Sequence, residues 1–76
     1  MATVSTTLPI LRKGSTGDSV FIVQLILNNF HGLDIKTDAI FGIQTENAIK
    51  DLQNAHSLSA TGSVDKLTWE ALATAD

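Results

Sequence analysis

The sequence predicts a small all-α domain, a three-helix orthogonal bundle in which a turn-plus-helix unit occurs twice. Three observations predict it. Thr45, Ala48, Ile49, Leu52 and Ala55 fall at i, i+3, i+4, i+7 and i+10, which is one face of a helix. The stripe returns 23 residues later as Thr68, Ala71, Leu72 and Ala75, and each copy follows a turn. The turns read Asp38-Ala39-Ile40-Phe41-Gly42 and Thr61-Gly62-Ser63-Val64-Asp65. No run alternates apolar and polar residues for long enough to build a sheet.

Taken in order, residues 1–7 are small and hydroxylic without periodicity and read as a flexible tail ahead of one domain spanning 8–76. Pro9 keeps Leu8-Pro9-Ile10-Leu11 extended. Arg12 to Gly17 is a turn rich in breakers, and Asp18 is placed as an N-cap. The first helix is predicted from Ser19 to His31, with Gly32 in the left-handed position that ends it and Leu33 covering the last turn. The second opens after Gly42 and ends near His56, where Ser57 takes the left-handed position at a cost of about 1 kcal/mol. The third is capped by Asp65 and runs from Lys66 to about Thr74. Thr45 and Thr68, early in their helices, are expected to bond back toward the caps. The expected core contains Leu11, Val20, Val23, Leu27, Phe41, Ile49, Leu52, Val64 and Leu72.

Composition narrows the function. The chain has 76 residues, room for one domain, and burial of only about 60% of the unfolded surface makes its stability marginal. With no cysteine it has no disulfide, thiolate metal site or cysteine nucleophile. The net charge is −3 and the five basic residues are scattered, which argues against nucleic acid and anionic membrane surfaces. No apolar run reaches the roughly 18 residues of a membrane span. Residues 1–7 lack the basic and apolar regions of a signal peptide.

The titratable residues have structural explanations. His31 and His56 end the first two helices, where a protonated imidazole is favoured, and no third ligand stands at metal-site spacing. Asp18, Asp38 and Asp65 sit at caps and turns, where Asp bonds locally. No nucleophile–base pair, phosphate loop or zinc signature is present. No catalytic residue, metal or cofactor is therefore expected.

LRKGSTGDSV, VQLIL, DAIFGIQTENAI, LQ and TGSVDKLTWEAL, in this order over residues 11–72, resemble the peptidoglycan-binding domain of the three-helix type. Ala39 and Thr61 stand where that pattern has the glycine of the first turn and the aspartate of the second. The resemblance implies a non-catalytic module, of bacterial or phage origin, that targets or anchors a partner or fused enzyme to the cell wall. It also implies a cell-wall or extracytoplasmic location, with cytoplasmic synthesis or a trimmed chain left open. The ligand would be peptidoglycan or a muropeptide, whose carboxylates suit helix N-termini and whose amides suit Asn, Gln, Ser and Thr. The groove expected to take it lies beside the Asp38–Thr45 turn and the polar edge of the first helix, with Gln24, Asn28, Asp38, Phe41, Gln44 and Thr45 as candidate contacts. Phe41 is read first as core. Trp69 is a seventh candidate, through sugar stacking, with core packing as its other reading.

The first helix departs from what the bundle needs. Between Val20 and Leu27 only Gln24 is polar, yet the face toward the other helices requires only Val20, Val23, Leu27 and Phe30. Phe21, Ile22 and Leu25 point elsewhere. The N-terminal segment could fold over them, but four extended residues reach only about 13 Å. The alternative function is therefore a protein-interaction or homodimer scaffold built on Phe21, Ile22 and Leu25.

Overall fold

The structure, a computed structural model, describes residues 8–73. Three helices make the bundle: α1 (Asp18–His31), α2 (Ile43–Ala55) and α3 (Lys66–Ala73). Two isolated antiparallel bridges, Leu11 with Val64 and Thr16 with Ile40, tie the segment before α1 to the two turns. The expected tail at 1–7 and the end of the third helix beyond Ala73 lie outside the described residues.

The apolar stripes form the core as expected, except that Ala55, at the end of α2, is exposed and Ala75 lies outside the described residues. Leu11, Val20, Val23, Leu27, Phe41, Ile49, Leu52, Val64 and Leu72 are all buried, joined by Ala48 and Ala71. Phe41 and Val64 occupy matching positions 23 residues apart and both point inward, so each turn contributes one wall of the core. Backbone bonds hold them there: Phe41 N–H donates to Ser15 O at 2.9 Å, and Val64 N–H to Leu11 O at 2.7 Å.

Several local expectations change. Gly17, at φ 112°, caps α1 through its backbone, and Asp18 lies inside the first turn with no side-chain cap bond. The positive φ before the helix selects glycine, which has no side chain to cap with. Asp65 does cap α3, accepting from Thr68 N at 3.1 Å. The hydroxyls of Thr45 and Thr68 accept bonds from glutamines of the preceding helices. Gly32 (φ 71°) and Ser57 (φ 60°) both take the left-handed conformation expected of them.

Two corrections concern surface. Phe30 is 61% exposed, because it lies in the last turn of α1, where the core has ended and a cleft opens. The segment 8–11 does not cover the outer face of α1. It runs beside the second turn and α3, where Pro9 O accepts the Trp69 indole N–H at 2.8 Å and Leu11 pairs with Val64. Phe21 and Ile22 are consequently exposed and Leu25 half-buried.

Candidate functional site

Each turn is pinned by one fully buried glutamine from the helix before it. Gln24 Oε1 accepts Ala39 N–H at 2.9 Å. Its Nε2 donates to Ile40 O and Thr45 Oγ1, both at 3.0 Å, and to Asp38 Oδ1 at 3.3 Å. Gln53 repeats the arrangement 29 residues later in the chain: Gly62 N–H at 2.9 Å, Ser63 O at 2.8 Å, Thr68 Oγ1 at 3.0 Å and Thr61 Oγ1 at 3.3 Å. A single amide thus satisfies the turn backbone and the first turn of the next helix together. Among the described residues no buried side-chain polar atom lacks a partner, as a polar group inside a core requires.

This geometry divides the seven candidate ligand residues. Gln24, Phe41 and Thr45 are closed to solvent, the glutamine with its amide fully used, so they shape the turn from within. Asp38 and Gln44 are exposed and share one surface with Asn28. Asn28 grips the backbone of Ile35 through both ends of its amide, at 2.8 and 2.9 Å, and Gln44 Oε1 accepts Lys36 N–H at 3.0 Å. Trp69 stands apart on α3, half-buried against the core with its indole N–H on Pro9. Ile40 and Ile43, 54% and 64% exposed, flank the same first turn. Nothing in their spacing marks them, because whether a turn residue is covered depends on packing from distant segments.

The two turns differ electrostatically. The Asp38 carboxyl is held below its ordinary value, chiefly by the Ile40 N–H, which it accepts at 3.0 Å, with further help from the Gln24 amide and Lys36 against a smaller desolvation effect. The second turn puts the neutral Thr61 in this place, with Oγ1 accepting Ser63 N–H at 3.1 Å. The first turn therefore offers solvent a fixed negative charge, an exposed amide and two apolar side chains, whereas the second has no carboxylate at the matching position and uses its Asp65 to cap α3.

A second concave feature lies at the other end of α2. The C-terminal ends of α1 and α2 border an open cleft of about 360 Å³, lined by Phe30, His31, Leu33, Asp51, Leu52, Ala55 and His56. The two imidazoles meet edge to face with centroids 6.3 Å apart, and His31 Nε2 lies 3.1 Å from Leu72 O. Among the described residues no three His, Asp or Glu side chains gather as a metal site would need.

The sequence profile of the peptidoglycan binding domain matches residues 16–72, the span that holds both turns and all three helices. Among solved structures, a fused Zn-dependent amidase/peptidase/peptidoglycan-binding domain-containing protein from Clostridium acetobutylicum is similar at 33% identity and TM-score 0.85, over 92% of this chain and 31% of that one. A peptidoglycan-binding protein from Clostridioides difficile, solved with glutamine hydroxamate, is similar at 34% identity and TM-score 0.81, over 86% of this chain and 40% of that one. The N-terminal domain of SleB is similar at 26% identity and TM-score 0.77, over 88% of this chain and 92% of that one. The chain thus spans well under half of the two clostridial chains and nearly all of the SleB domain. With the profile over most of its length and the same three-helix fold in these relatives, the chain belongs to the peptidoglycan binding domain family.

Proposed function

We propose that this domain is a non-catalytic module that binds peptidoglycan and holds a partner or fused enzyme at the cell wall, outside the cytoplasmic membrane. The ligand surface is the first turn with the start of α2: Asp38 and Gln44 as polar contacts, Asn28 as their support, and Ile40 and Ile43 as the apolar floor. The observation that carries this reading is the Gln24 clamp, which holds an ionised carboxylate and exposed apolar groups in one fixed arrangement. A surface held rigid before binding loses less entropy on binding. The amidase/peptidase fusion of the C. acetobutylicum relative supports the anchoring role.

Sedimentation with insoluble peptidoglycan sacculi tests it. The domain should pellet with sacculi, and a variant carrying Ile43→Ser and Gln44→Ala, both at exposed positions, should pellet less. A wild-type domain that stays in the supernatant overturns the reading.

A second reading has its own observation. Phe21 and Ile22, 39% and 49% exposed, are not covered by the N-terminal segment. They form with Leu25 an apolar face suited to a second copy of the chain. Light scattering across a concentration series should then show a dimer that Phe21→Glu abolishes, and a monomer at every concentration rejects it.

A further inference from the structure

No lysine or arginine is among the described residues that line the cleft between the ends of α1 and α2, and its two imidazoles, His31 and His56, stand edge to face. Both helices present their C-terminal, partially negative ends to it. The last turn of α2 contains no basic residue. Asp51, exposed on the cleft wall, has no ion-pair partner among the described residues. A carboxylate near the C-terminal end of a helix is unfavourable without a nearby cation. His31 Nε2 is engaged with Leu72 O, 3.1 Å away, rather than with Asp51. Apart from the two imidazoles, the rest of the wall is apolar. Phe30, 61% exposed, borders it beside Leu33 and Ala55. An aromatic face, an aliphatic wall and a free carboxylate together match one ligand class.

We propose that this cleft is a binding site for a primary ammonium group carried on an alkyl chain. The head lies at Asp51 and the helix ends, and the chain lies along Phe30, Leu33 and Ala55. Neutral groups of similar size gain only the apolar contacts there, and anionic ones lose by repulsion from Asp51. This deepens the wall-binding reading and rests on it for the source of the amine alone, the free side-chain amine of a diamino acid in an uncross-linked stem peptide. The site lies at the opposite end of α2 from the first turn, about 18 Å away for a 13-residue helix. A polymer that repeats its chemistry along its length can therefore engage both.

The test is chemical-shift titration with Nα-acetyl-lysine methylamide, which bears the amine, against its fully acetylated and uncharged form. Shifts should centre on Phe30, Asp51 and Ala55, and acetylation should weaken binding about fivefold or more, as should Asp51→Asn. Acetylation should cost Asp51→Asn less than it costs the wild type, and Asp18→Asn, which removes the same charge at the other end of α1, should bind as the wild type does. Equal binding of the two probes, or wild-type affinity in Asp51→Asn, overturns the site. If sacculi pellet the domain while the amine probe leaves the cleft unshifted, the cleft proposal fails and the wall-binding reading stands. If the amine titrates the cleft and sacculi do not pellet the domain, the site stands and its source is not the wall.

Discussion

Gln24 and Gln53 each bond four partners that lie between 8 and 21 residues further along the chain. Replacing Gln53 by Leu fills the same space but leaves the buried Gly62 N–H and the Thr68 hydroxyl without that amide. At roughly 1–3 kcal/mol for each buried group left unsatisfied, Gln53→Leu should cost about 3 kcal/mol, read as a lower midpoint in urea unfolding. An unmoved midpoint would show that water or the backbone replaces the clamp. Strain gives a prediction of opposite sign. Ala39 and Ser57 hold φ of 63° and 60°, so Ala39→Gly and Ser57→Gly should each stabilise the domain by up to about 1 kcal/mol in the same assay. Gly62→Ala should do the reverse, because its φ is 81° and the new Cβ would stand 2.8 Å from Glu46 Cγ. At Asp38 the carboxyl is lowered in the folded state, so the stability it adds is present above the unfolded value near 3.9 and is lost as pH falls through the lower folded value. Stability curves of the wild type and Asp38→Ala should accordingly converge below about pH 4. Of these features the left-handed Ser57 was legible in the sequence, from the parallel between its helix exit and the one at Gly32. The clamps were not, because a glutamine in a helix shows its role only when the turn it holds is known.

Among the elements, α2 bears on both candidate surfaces, the first turn at its start and the cleft at its end. Its apolar face was legible from spacing alone, since residues three and four apart must share a side. Leu52→Ala should therefore cost about 2–5 kcal/mol, and a melting temperature that barely moves would contradict the burial of that face. The same spacing argument put Phe30 on the face toward the other helices and failed there, since Phe30 is exposed. Periodicity states which side a residue faces but not where along the helix the neighbours stop. The cleft was illegible for that reason, since it exists only where α1 and α2 end beside each other. The outer face of α1 was legible as a surplus of apolar residues, while the path of the segment that leaves it open depended on a bond between residues 9 and 69.

At the scale of the whole molecule, the repeat explains both what is shared and what differs. Two turns with the same clamp give the bundle two matching walls, and the core closes between Phe41 and Val64. Only the first turn has a carboxylate at its opening position, so the domain is nearly two-fold in packing but differs between its turns in where the charge sits. That asymmetry directs the wall-binding proposal to the first turn, and it could be read directly from Asp38 against Thr61.

The bond from the Trp69 indole to Pro9, with the Leu11–Val64 bridge beside it, joins the first described residues to the last helix. In mechanical terms this is a short circuit. A pull applied between the two ends of the described chain passes through a few bonds at one corner of the molecule. α1 and α2, with the first turn and the cleft, stay out of the load path until those bonds yield. A chain pulled from both ends can in this way carry tension while the first turn and the cleft keep their shape.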